Sequence, residues 1–126
     1  MIVVIGGKYQ GKLGYIKEMH SIDDCDIQRC DDQCSELDFS KNVIYGYGDL
    51  VYRQLKNAVD PLEYLQSNID KLKGKIIISD DIFCGVVPCD ESEGKWREEL
   101  GRCMIFLSKR ASEVHRVFCG LGMRVK

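Results

Sequence analysis

Gly6, Gly11 and Lys12 stand in the frame G-x-x-x-x-G-K, within the stretch VVIGGKYQGKLGY at positions 3–15. Backbone N–H groups of such a loop curl around phosphate oxygens where the following helix presents its positive end. The lysine reaches the β- and γ-phosphates, and the two glycines allow the backbone angles and close approach that this requires. Gly6, Gly7, Lys8, Gly11, Lys12 and Leu13 are therefore the candidate nucleotide-binding residues. At the last position a Ser or Thr hydroxyl normally holds Mg2+, and leucine has no oxygen to offer a cation. The motif predicts anion binding with altered metal handling. The alternative for the same residues is a glycine turn that only joins a strand to a helix.

Three further groups carry chemistry. Asp80 and Asp81 close the apolar run KIIIS. That end of a parallel strand is where ligands of open α/β sheets collect, which makes both candidates for Mg2+ or nucleotide contact. Arg97 and Arg102 are candidate phosphate contacts, although Glu98 and Arg102 are also spaced for an ordinary i,i+4 helical pair. Cys25, Cys30 and Cys34 follow the spacing C-x4-C-x3-C, which departs from the paired C-x2-C of structural zinc, so no metal site is assigned. The total of seven cysteines is odd, and free thiols are expected. His115 alternates with Val114 and Val117 and reads as a surface or packed histidine.

The elements that position these groups alternate between strand and helix. Residues 1–5 form a Val/Ile-rich run of the kind buried on both faces. A helix is expected from Lys12 to about Met19, with Ile16 and Met19 on one side. Residues 20–42 are acidic and lack periodicity, and predict a partly helical or mobile excursion. A strand is expected at Val43–Tyr45, then a short helix capped by Asp49 and running to Lys56. Asp60, Pro61 and Glu63 mark a helix start with a capping box. Leu62, Leu65, Ile69 and Leu72 supply its apolar stripe, and Gly74 its end. A second buried strand, a long loop, a helix from about Glu93 to Arg110, a strand at EVHRVFCG and a short last strand at MRVK complete the chain. Trp96, Leu100, Cys103 and Leu107 are spaced as a helix core. The pattern predicts one α/β domain over residues 1–126, with a mainly parallel sheet between helix layers.

Bulk properties narrow the partners. A net charge of −2 gives no basis for nucleic acid or an anionic membrane. No apolar run approaches the roughly 18 residues of a membrane span. MIVVIGGKYQ lacks the basic leader of a signal peptide, so a cytoplasmic location is expected.

The carboxyl-terminal half carries a more specific signal. Asp80-Asp81, Gly85-Val86-Val87-Pro88, Trp96-Arg97-Glu98, Gly101-Arg102 and Glu113-Val114 through Gly120 to Lys126 occur in that order. Together with the amino-terminal loop, this series resembles the adenosylcobinamide kinase/adenosylcobinamide-phosphate guanylyltransferase family of cobalamin biosynthesis, over about residues 1–16 and 76–126. The resemblance implies a RecA-like P-loop fold, a homo-oligomer, GTP or ATP with Mg2+ as cofactors, and a corrinoid substrate. It also implies phosphorylation of the aminopropanol hydroxyl, then GMP transfer through a guanylylated histidine.

The chain departs from the family where the chemistry is done. Tyr9 and Gln10 replace an Arg-Ser pair, and Leu13 replaces the hydroxyl residue. Gly46 stands at the usual acidic position, and Met104 displaces an asparagine. No histidine has the family's His-x-x-Arg setting, and His20 directly follows the first helix. The expected function is that of a degenerate relative that keeps nucleotide binding with reduced or absent catalysis. An active cobinamide kinase without guanylyltransferase activity, and a non-catalytic structural or regulatory partner subunit, are the alternatives.

Overall fold

The computed structural model describes residues 1–30, 34–81 and 91–126. Among these residues six strands form one sheet, β1 (Ile2–Gly6), β2 (Ile27–Arg29), β3 (Val43–Tyr45), β4 (Ile76–Asp80), β5 (Glu113–Phe118) and β6 (Leu121–Arg124), in the order β2-β3-β4-β1-β5-β6. The first five are parallel, and β6 pairs antiparallel to β5. The helices are α1 (Lys12–His20), α2 (Tyr47–Lys56), α3 (Pro61–Asn68) and α4 (Glu91–Arg110). The expected α/β architecture with a mainly parallel sheet is the one found.

Burial follows the strand alternation. Val3, Ile44, Ile77 and Val114 face α2, α3 and α4, where Leu50, Leu65, Leu100 and Leu107 are fully buried. Val4, Val43, Ile76, Ile78 and Val117 face the other side, where Ile16 of α1 packs on them. Neighbouring Val3 and Val4 are both fully buried, as a strand covered on both faces requires. Ile16 and Met19 do not share one environment, since Ile16 is buried and Met19, at the helix end, is exposed.

Two expectations need correction. Helix α2 starts at Tyr47, not Asp49, because Gly46 is its N-cap with φ +84°. Gly46 N–H donates to Ile78 O, which holds the chain end of β3 to β4, and Asp49 lies in the first helical turn. The acidic segment contains a 3-10 turn at 24–26 and the short edge strand β2, whose Ile27 joins the α1-side core. A three-residue strand leaves too short a period to be read from sequence. For α3 the expected start holds. Asp60 accepts from the N–H groups of Leu62 and Glu63, and the stripe continues through a 3-10 turn at 69–72 that buries Leu72. The Gly85–Pro88 part of the family resemblance lies outside the described residues.

Candidate functional site

The chain leaves β1 at Gly6 and enters α1 at Lys12 through a five-residue loop at the carboxyl edge of the sheet. Close packing explains both frame glycines. A Cβ on Gly6 would lie 2.5 Å from Val117 O, and one on Gly11 (φ +87°) would lie 3.2 Å from Gly120 Cα. The turn between β5 and β6 braces the loop from that side. Gln10 O accepts from Gly120 N–H, and Gln10 Oε1 accepts from Cys119 N–H, both at 2.7 Å. Gly11 caps α1 without a side chain, so the N-cap itself places no side-chain oxygen on the N–H groups of the first turn. An uncapped helix start of this kind suits an anion.

Lys12 is the centre of the site. Its side chain is only 5% exposed, and Nζ sits 2.7 Å from Asp80 Oδ1 while donating to Gly7 O at 2.8 Å. A buried ammonium needs such partners, because an unpaired charge in low dielectric is costly. The pair ties the loop after β1 to the end of β4, its sheet neighbour. Around it a cleft of about 200 Å3 is lined by Lys8, Tyr9, Lys12, Tyr45, Gly46, Asp49, Ile78 and Asp80. Tyr9 stands fully exposed on the rim with φ +60°, an uncommon backbone state for an aromatic residue.

Not every candidate converges here. Asp80 lines the cleft, but Asp81 turns away. It lies 3.5 Å from Arg116, and its N–H donates to Gly6 O. Asp49, which the sequence suggested only as a helix cap, lines the cleft instead. Arg102 is paired with Glu98 at 2.6 Å and Glu99 at 3.0 Å, and with Arg97 it lines a separate groove over Ile5 and Met104. Leu13 packs against the α1-side core rather than facing the cleft.

The other chemistry-bearing residues of the sequence lie away from the cleft. His115 is 3% exposed and engaged at both ring nitrogens, by Tyr15 Oη at 2.9 Å and Glu113 Oε1 at 3.2 Å. Neither of the two histidines lines the Lys12 cleft. Cys25 is exposed, Cys30 buried and Cys34 half-buried. Among the described residues no three His, Cys, Asp or Glu side chains are grouped to hold a metal ion, and no helix is long and apolar enough to cross a membrane.

The chain matches no protein-family model and no curated protein.

Proposed function

We propose that this chain is a nucleotide-binding protein of RecA-like P-loop type, a degenerate relative of the adenosylcobinamide kinase/guanylyltransferase family with reduced or absent catalysis. The observation that carries this reading is Lys12. Its ammonium is held almost fully buried beside an uncapped helix start, at the carboxyl edge of a parallel sheet. The chain leaves β1 by way of α1 on one face and leaves β4 by way of α4 on the other, so the cleft between them is a topological switch point.

In the proposed complex the backbone N–H groups of Lys8 to Leu13 receive phosphate oxygens. Lys12 Nζ gives up Gly7 O and Asp80 to meet the same anion. Where Mg2+ accompanies the nucleotide, Asp80 and Asp49 are the described cleft carboxylates that would hold it, since Leu13 offers no hydroxyl. Mg2+ bound there would neutralise charge on the phosphates. Guanylyl transfer needs a nucleophile that attacks the α-phosphate, and no histidine stands at the cleft to serve. The volume bounded by the described residues matches a polyphosphate better than a corrinoid, because ligand pockets for larger molecules run from about 300 to 1,000 Å3.

The test is a thermal-shift titration with GTP and ATP, each with and without Mg2+, on the native protein and on Lys12→Ala. A nucleotide at about 100 times its dissociation constant adds roughly 2.7 kcal/mol of stability. A shift in the native protein that Lys12→Ala loses supports the reading. No shift with either nucleotide, or an equal shift in both proteins, overturns it and leaves the loop as a turn in a structural protein.

A further inference from the structure

Lys12 has little left to offer a long polyphosphate. An ammonium group carries three N–H donors. Two of them are already placed, on Asp80 Oδ1 at 2.7 Å and on Gly7 O at 2.8 Å. A lysine that spans the β- and γ-phosphates of a triphosphate needs both. Lys12 must first abandon Asp80 to reach so far, and the carboxylate does not leave with the bond. Asp80 is the last residue of β4 and stands in register with Gly6, where the loop begins. The sheet therefore keeps this carboxylate beside any anion the loop receives.

The rest of the cleft does not compensate. Its charged lining is Lys8 and Lys12 against Asp49 and Asp80, so among the described residues its charges cancel. Lys8 is exposed, where solvent and salt screen it. The attraction that remains comes from backbone dipoles. The start of α1 is equivalent to about half a positive unit charge, and its field fades within one turn. It favours the phosphates that lie directly on the loop. From there the cleft continues to the ends of β3 and β4, lined by Tyr45, Gly46, Asp49, Ile78 and Asp80. A phosphate placed farther out meets carboxylates.

A phosphate loop with a hydroxyl at its last position removes this conflict by holding Mg2+ against the outer phosphates. Leu13 has no hydroxyl, and its side chain packs into the α1-side core. The repulsion between a third phosphate and the cleft carboxylates is therefore not relieved from the loop. Even at about 10 Å, one further unit charge facing a carboxylate costs on the order of tenfold in affinity at the effective dielectric of a protein.

We infer that this site takes the diphosphate group of a nucleoside diphosphate, bound without metal, and that Asp80, with Asp49 beyond it, disfavours the triphosphate. The inference rests on the nucleotide-binding reading above and names the ligand class of that site. A diphosphate lies on the loop N–H groups and meets Lys12 without carrying charge toward the far end of the cleft. A triphosphate must place its additional charge there.

Isothermal titration calorimetry in EDTA tests the preference, with ADP, ATP, GDP, GTP, pyrophosphate and tripolyphosphate as probes. Each diphosphate is expected to bind about tenfold more tightly than the corresponding triphosphate. Asp80→Asn should close most of that gap, chiefly by strengthening triphosphate binding. This variant is expected to be less stable, so Asp49→Asn supplies a second measurement and should narrow the gap in the same direction. Circular dichroism confirms that each variant is folded before it is titrated. Triphosphates that bind the native protein as tightly as diphosphates overturn the inference and leave nucleotide binding standing. A gap that stays unchanged in both variants also overturns it, since the carboxylates would then not set the preference. Should neither class bind the native protein, the inference falls together with the nucleotide-binding reading.

Discussion

Lys12 and Asp80 form a pair whose two members pull the site in opposite directions. The lysine supplies the positive charge an anion would meet, and the carboxylate neutralises it across 2.7 Å. Removing one partner of a buried pair costs roughly 3 to 5 kcal/mol because the other charge is left uncompensated. Asp80 is 28% exposed, so the low end applies. Asp80→Asn is accordingly expected to lose about 3 kcal/mol in urea denaturation. Added pyrophosphate without Mg2+ should restore more stability to this variant than it gives the native protein, because phosphate replaces the lost counter-charge. Equal restoration would mean that Lys12 does not meet the anion. The lysine itself was legible in the sequence through its G-x-x-x-x-G-K frame. Its pairing with Asp80 was not, since 68 residues separate them and only the β1–β4 register brings them together.

Elements were legible in proportion to their length and punctuation. Helix α3 announced itself through Asp60 and Pro61, and the Asp60 carboxylate does accept from Leu62 and Glu63 N–H groups, at 3.1 and 3.3 Å. The reciprocal contact expected of Glu63 is not made among the described residues. Asp60→Ala should therefore cost about 1 kcal/mol, the ordinary value of an N-cap, in chemical denaturation. A neutral substitution would show that packing of Leu65 and Leu72 alone sets the helix start. Strand β2 escaped notice because three residues carry no usable period. The start of α2 was misjudged because Asp49 has the chemistry of a cap, whereas Gly46 has the backbone freedom the position demands. Two long-range contacts at the site, the Gln10 bonds to the β5–β6 turn, follow from neither motif nor periodicity.

At the scale of the whole molecule the larger core carries its own pH dependence. Cys103 of α4 and Tyr47 of α2 meet within it, and both side chains are buried. Burial pushes the Cys103 thiol up to about 11, against the hydrogen bond to Tyr47, which pulls it down. Burial likewise raises Tyr47 well above its ordinary value. Below the ordinary thiol range, near pH 8.5, folded and unfolded chains both keep the thiol proton, and stability does not depend on it. Between there and about pH 11 only the unfolded chain releases it, so stability falls as pH rises. The loss attributable to Cys103 approaches roughly 3 kcal/mol, at 1.36 kcal/mol per pKa unit. Urea denaturation from pH 7 to 11 should display that slope, and Cys103→Ala should remove the part that begins near pH 8.5, leaving the loss that Tyr47 adds above about pH 10. An unchanged slope would place the alkaline sensitivity elsewhere.

Sequence by itself determined the class of the fold, because apolar runs and helical stripes are local patterns that burial enforces residue by residue. It also placed the glycine loop between β1 and α1, where Gly6 has no room for a side chain and Gly11 takes a left-handed backbone. Tertiary structure decided which acids belong to the cleft. It drew Asp80 and Asp49 together, sent Asp81 to Arg116, and occupied Arg102 with its helical neighbours. It also decided that His115 is a packing residue and that, among the described residues, β6 is the last strand of the sheet. The physical reason is the same in each case: strand order and register juxtapose residues remote in sequence, and neither is written in the local pattern of any one strand.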